Sequence, residues 1–218
     1  ITITSDEQNV AALPIGFDFP YYGNSFTTFN FCSNGWVSFT NTTTNYTNSA
    51  LPATAAPGDM LALFWDDLTF GTTGRAYYFN DGTRLVIEYK NVPHYSAGGP
   101  YSMQIHLYPN GLIEYHYLTM TSVLDSATIG IQNADGTDGL TVIFNAAYLH
   151  DNMAIRFGAL PPWLSTSPNS GSLAAGASVD VTVGFNASGL CGSHFDANLH
   201  VLSNDPVTPD VTIPVGLD

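Results

Sequence analysis

The sequence predicts an all-β protein made of two tandem antiparallel β-sandwiches, the second one small and immunoglobulin-like. Three observations carry this expectation. Short runs of alternating apolar and polar residues recur along the 218 residues, which is the pattern of half-buried strands. The turn dipeptides Asn34-Gly35, Asp81-Gly82, Asn110-Gly111 and Asp135-Gly136 punctuate them. Amphipathic helical stripes free of Gly, Pro or β-branched runs are nearly absent.

The chain opens in Ile1-Thr2-Ile3-Thr4, a strand-like alternation with no initiator Met or signal peptide, as a mature product or an excised segment would. One hairpin can be read in detail. Tyr101–Tyr108 and Leu112–Thr119 flank Pro109-Asn110-Gly111. A three-residue loop sets Leu107 against Ile113 and Ile105 against Tyr115 on an apolar face. His106 then opposes Glu114, and Gln104 opposes His116, on a polar one. A two-residue loop would mix the faces, so register favours the longer loop. A boundary falls at Gly158-Ala159-Leu160-Pro161-Pro162. Beyond it, Val179, Val181, Val183 and Phe185 alternate with polar residues. So do Phe195, Ala197, Leu199 and Val201, and then Val211, Ile213, Val215 and Leu217. Residues 1–158 are therefore expected to form a larger sandwich and 159–218 a small one of about four or five strands. At about 60 residues a lone core is marginal. Docking, a disulfide or a strand from a neighbouring chain would complete it.

Composition narrows the function. Four Lys+Arg stand against 18 Asp+Glu, for a formal net charge of −14, and charged residues make up only 10%. Phosphate neutralisation needs clustered cations. Arg75, Arg84, Lys90 and Arg156 are the whole supply, which argues against nucleic acid and anionic membranes. An aromatic content of 13% argues against disorder. The longest clean apolar run, Met60–Trp65, is far too short for a membrane span. A surface of Thr, Asn, Ser and Tyr instead of Lys and Glu suits a secreted β-protein. The excess negative charge opposes casual self-association, so any assembly needs a specific device.

Leu13-Pro14-Ile15-Gly16-Phe17-Asp18-Phe19-Pro20-Tyr21-Tyr22-Gly23, Cys32-Ser33-Asn34-Gly35-Trp36-Val37-Ser38-Phe39 and Phe64-Trp65-Asp66-Asp67-Leu68 together resemble a nidogen-like β-sandwich module of secreted bacterial proteins. Val92-Pro93-His94-Tyr95 and Ala127–Asn133 extend the likeness. The second part resembles short immunoglobulin-like repeats (BACON-like or ASPM/SPD-2/Hydin-like) of bacterial surface proteins. Its carriers are Trp163-Leu164-Ser165, Ser167–Gly171, Gly176-Ala177-Ser178 and Ser203-Asn204-Asp205-Pro206. These resemblances imply an extracellular, non-catalytic role in adhesion, scaffolding or accessory binding, and no catalytic residues.

Cys32 and Cys191 depart from both patterns. Cys32 is out of phase with Phe29, Phe31, Val37 and Phe39, so it is expected off the core face, and Cys191 lies in the Gly189–Ser193 loop. A disulfide between them would clamp the two modules or join neighbouring subunits. An internal bond closing about 160 residues would restrict the unfolded chain by roughly 5 kcal/mol.

Other candidates carry plainer alternatives. Asn133, Asp135 and Asp138 alternate around a Gly turn and could wrap a structural Ca²⁺, although Phe144 stands where an EF-hand needs Glu. A Gly-rich hairpin loop is the better reading. Asp66 and Asp67, adjacent on a strand, point to opposite faces. His106 and His116 share a polar face, as do His194 and His200. None of His94, His106, His116, His150, His194 and His200 has a metalloprotease-like spacing. Asn41, Asn45 and Asn186 head N-x-S/T sequons and are glycan-attachment candidates. Trp36 and Tyr95 are candidates for stacking on sugar rings, against the alternative that they fill a core. The leading expectation is a non-catalytic extracellular structural or adhesive building block, one version being a self-assembling subunit of a filament or layer. The alternative is a carbohydrate-binding accessory module pair of a larger secreted hydrolase or peptidase.

Overall fold

The computed structural model describes residues 1–158, 163–168, 171–188, 194–203, 205, 207–208 and 210–218. All regular structure among them is strand. The chain divides into two compact units, Ile1–Gly158 and Ala159–Asp218.

The first unit is a β-sandwich. Its six-stranded sheet takes the spatial order β1 (Asn9–Tyr21), β2 (Asn24–Cys32), β3 (Trp36–Ser38), β4 (Met60–Trp65), β9 (Thr128–Gln132), β10 (Gly139–Phe144). The five-stranded sheet is ordered β11 (Met153–Phe157), β8 (Ile113–Met120), β7 (Tyr101–Leu107), β6 (Leu85–Val92), β5 (Arg75–Asn80). Every pairing is antiparallel. Ile1–Thr4, expected to be strand-like, joins neither sheet. Its successors turn on the Gln8 side chain, whose Oε1 accepts from the amides of Thr4 and Ser5.

Apolar residues at alternate positions of both sheets meet in one core. Phe31 stacks on Tyr89 across it, with centroids 4.3 Å apart. Buried tyrosines tie the layers together. Tyr117 Oη donates to the Leu63 carbonyl (2.8 Å), where a bulge interrupts β4 against β9. Tyr115 Oη donates to the Gly130 carbonyl (3.0 Å), and Tyr89 Oη lies 2.8 Å from the carbonyls of Cys32 and Trp36. Each buried hydroxyl thus finds its acceptor on the backbone of the opposite sheet.

The β2–β3 turn runs through Ser33-Asn34-Gly35. Gly35 has φ +74°, and a Cβ there would sit 1.8 Å from the Phe64 carbonyl oxygen, so only glycine fits. The β7–β8 hairpin follows the expected register. Tyr108 N–H donates to the Leu112 carbonyl, Leu107 opposes Ile113, and His106 opposes Glu114. A bulge further along pairs Ser102 with Thr119 but Met103 with Tyr117, leaving Leu118 exposed.

The outer face of the six-stranded sheet is not solvent-facing at its centre. Residues 40–58 cross it without regular structure and are held by buried amides. Asn34 Nδ2 donates to the Thr44 carbonyl, Gln132 Nε2 to the Pro57 carbonyl, and Ala53 N–H donates to Gln132 Oε1. Beneath this loop lies a second apolar cluster of Cys32, Trp36, Leu51, Met60, Ala62 and Trp65. All six residues of β4 are therefore buried, three on each face.

The second unit contains, among its described residues, β12 (Leu164–Ser167) paired with β13 (Thr182–Phe185), and β14 (Phe195–Leu202) paired with β15 (Asp210–Leu217). Trp163, Leu164 and Leu199 are buried, with Val183, Phe195, Ala197, Val215 and Leu217 packed against them. The expected half-burial holds only at that end. Val179, Val181, Phe185, Val201, Val211 and Ile213 are exposed, because no second apolar layer among the described residues covers them.

Candidate functional site

The solvent face of the five-stranded sheet carries two rows of opposed side chains. One runs Phe79, Val86, His106, Glu114, Arg156, and the other runs Tyr77, Glu88, Gln104, His116, Ala154. Antiparallel pairing with strict alternation sets them side by side. At the β5 edge, Phe79 is 68% and Tyr77 47% exposed. The centre is polar and tightly connected. His106 and His116 rings stack with centroids 4.2 Å apart. His116 Nε2 lies 3.1 Å and His106 Nδ1 3.9 Å from Glu114 Oε2. Gln104 Oε1 accepts from His106 Nε2 at 2.8 Å, leaving Nδ1 as the acceptor facing Arg84 at 3.3 Å. Tyr108 Oη donates to Glu114 Oε2 and accepts from Arg84. Burial first, then His116 and Arg84, push His106 down to about 4, so its imidazole is neutral at pH 7. Burial opposes ionisation of Glu114, but hydrogen bonds from His116 and Tyr108 outweigh it and hold the carboxyl below its ordinary value. Among the described residues, His106, Glu114 and His116 form the one set of three His, Cys, Asp or Glu side chains whose ligand atoms all lie within 4.8 Å of one another. A cavity of about 360 Å³ adjoins His116, lined by Glu88, Ser102, Gln104, Leu118 and Asn152 among others.

A second polar constellation closes one end of the sandwich. Leu68 and His94 form an isolated bridge. His94 Nε2 lies 3.3 Å from Asp66 Oδ2, which also accepts from Ser126 Oγ, and Ser96 Oγ sits 3.2 Å from His94 Nδ1. Asp66 is buried, whereas Asp67 is partly exposed and its Oδ1 has no partner. Glu7 accepts from Asn34 Nδ2 at 2.6 Å. Burial, then the nearby Asp6 carboxylate, raises Asp67. Burial, together with Asp67 and Asp6, raises Glu7. Tyr95, 58% exposed, projects from this same bend and donates its N–H to the Asp67 carbonyl.

A family described as NIDO related matches residues 1–174, which takes in the whole first unit and the start of the second. The chain belongs to the NIDO-related family. No curated protein and no solved structure matches it.

In this NIDO-related chain the residues singled out from sequence fare differently. Trp36 is fully buried beneath the 40–58 loop, its Nε1 donating to the Asn45 carbonyl, and cannot stack on a ligand. Trp65 Nε1 donates to the same carbonyl, also at 2.9 Å. Tyr95 is exposed as a stacking residue must be. Asn133 Oδ1 and Asp135 Oδ1 accept hydrogen bonds inside the hairpin turn. Asn133 Oδ1 accepts from the amides of Thr137 and Asp138, and Asp135 Oδ1 from Thr137, the internal bonding of a hairpin loop. Asn41 and Asn45 lie partly buried in the covering loop, each with Oδ1 accepting from the amide two residues on, while Asn186 is exposed.

Cys32 lies off the main core, as its phase implies, but is not available at a surface. It is a free, fully buried thiol beside Trp36 and Trp65, and burial pushes it up to about 12. Cys191 and the Gly189–Ser193 loop lie outside the described residues, as does the His200 side chain. His194 pairs with Asp196 and Asp218 on an exposed strand end. No local pattern brings Asp66 to His94, which are 28 residues apart. Of the two histidines on the polar face, His106 is buried and His116 stays partly exposed, and both engage Glu114, beside which the hairpin register already places them.

Proposed function

We propose that the chain is a non-catalytic extracellular or cell-surface building block, in which a rigid first unit carries a second, immunoglobulin-like unit that completes itself against another copy. The exposed apolar alternation of the second unit carries this reading. Val179, Val181, Phe185, Val201, Val211 and Ile213 have the spacing of a half-buried sheet yet face solvent. With a formal net charge of −14, association must come from such a local apolar device, since the field as a whole repels. The 218-residue chain is expected to sediment at a multiple of 23.4 kDa. The double variant Val211→Asp, Ile213→Asp should return it to the single-chain mass. A wild-type protein that stays at 23.4 kDa at every concentration rejects the reading.

A second reading rests on Tyr95: a carbohydrate-binding accessory module. An exposed aromatic ring flanked in the chain by the polar His94 and Ser96, and tied through its N–H to the Asp67 carbonyl, offers a stacking surface with polar groups adjoining it. Glycan-array binding lost in Tyr95→Ala supports it, and an array without signal removes it.

A further inference from the structure

We propose that His106, Glu114 and His116 form a Zn²⁺ site on the solvent face of the five-stranded sheet. Zinc bound at about 2.0–2.1 Å in a tetrahedral site holds its ligand atoms about 3.3 Å apart. The Glu114–His116 separation is 3.1 Å, and the His106–Glu114 separation is 3.9 Å. All three ligand atoms lie within 4.8 Å of one another, and the two imidazoles, now stacked with centroids 4.2 Å apart, close the set on one ion by turning about their side-chain torsions. All three ligands sit on one hairpin, β7 and β8, whose register is fixed by the Pro109-Asn110-Gly111 turn and by the buried residues opposite. The site is therefore built on rigid elements.

Metal-binding histidines hold their second ring nitrogen in a hydrogen bond that fixes the tautomer. Gln104 does this for His106, accepting from Nε2 and leaving the Nδ1 lone pair toward the cluster. The Arg84 guanidinium lies on the same lone pair, 3.3 Å from Nδ1, and would compete with the ion for it. Arg84 is on the short β5–β6 turn, already paired to Asp81 at 3.2 Å, and can swing to that carboxylate. His116 Nε2 gives up the proton it shares with Glu114, moving it to Nδ1 or to solvent, and Glu114 supplies one negative charge. Facing the site are Arg84 and Asp81 from the β5–β6 turn, Glu88 from β6, Tyr108 from the β7–β8 turn and Arg156 from β11. Glu114 and His116 are more exposed than His106, so the fourth position opens to solvent beside the His116 cavity.

Calorimetric titration of the EDTA-treated full chain with ZnCl₂ should saturate at one ion per chain, and Co²⁺ at the same site should give a visible d–d spectrum. His116→Asn should abolish both signals while the circular dichroism stays that of the wild type. Gln104→Ala should weaken binding about tenfold. Arg84→Gln should tighten it, since it removes the competing cation. His194→Asn, at the exposed strand end, should leave it unchanged. The proposal is overturned by an absence of saturable binding, by binding that survives His116→Asn, or by binding that vanishes in His194→Asn.

Discussion

The two units are made of the same material and packed to different extents. In the second, apolar and polar residues alternate almost without interruption along β14 and β15, yet among the described residues only Trp163, Leu164 and Leu199 are buried. In the first, alternation is broken by bulges in β1, β4, β6, β8 and β10, yet one core runs from Ile15 to Phe157. The difference lies in what covers each face. The first unit puts two sheets face to face, bolts them with tyrosine hydroxyls, and lays residues 40–58 over the outer side. Periodicity tells which side of a strand is apolar. It does not tell whether anything is there to meet it.

The largest break in the comparison comes from one methyl group. Gly35→Ala drives a Cβ into the Phe64 carbonyl at a positive φ. It should cost about 5 kcal/mol and remove the calorimetric transition of the first unit. Gly171, where an added Cβ would meet nothing within 4 Å, should accept alanine with a change under about 0.5 kcal/mol. Next in size is Trp163→Ala. Truncating the largest buried side chain of the small unit should cost about 3 kcal/mol, more than a core of that size spares. A second, lower transition should vanish while the first unit melts unchanged.

Tyr117→Phe tests the bolts. The hydroxyl serves the Leu63 carbonyl at the β4 bulge, and removing it leaves a buried acceptor unpaired. A loss of about 2 kcal/mol is expected, or about 6 °C in Tm for the first unit. An unchanged Tm would mean that the bulge carbonyl finds another donor.

How far the fold can be read from the chain differs from residue to residue. The β7–β8 hairpin is legible because one turn and one apolar face leave a single consistent register. The burial of Trp36 is not. Its cover is a loop of Thr and Asn with no periodicity, held by Asn34 and Gln132, whose partners lie 10 and 75 residues away. One clue was present. Met60–Trp65 is an unbroken apolar run, the mark of a strand buried on both faces, and such a run demands a covering layer on each side. The His106–Glu114–His116 set is likewise half legible. Register gives the neighbours, but the orienting roles of Gln104 and Arg84 depend on side-chain directions that no pattern encodes.

The smallest effect separates the units by pH. In the second unit, the Asp205 carboxyl is exposed and held below its ordinary value by the amides of Val207 and Thr208. In the first, Asp67 is raised by burial and by Asp6. A carboxyl whose folded value exceeds its unfolded one binds its proton more tightly when folded, so its ionisation opposes folding as pH rises above the ordinary value of 3.8. Asp67→Asn removes that penalty. Its Tm should exceed the wild type at pH 7, and the gain should shrink to nothing as pH falls below 3.8, where both states of the wild-type carboxyl are protonated. Asp205→Asn should do the opposite, losing stability at pH 7 and converging with the wild type only in acid. Parallel responses of the two variants across a pH series of melting curves would remove the distinction between a carboxylate the fold strains and one the fold uses.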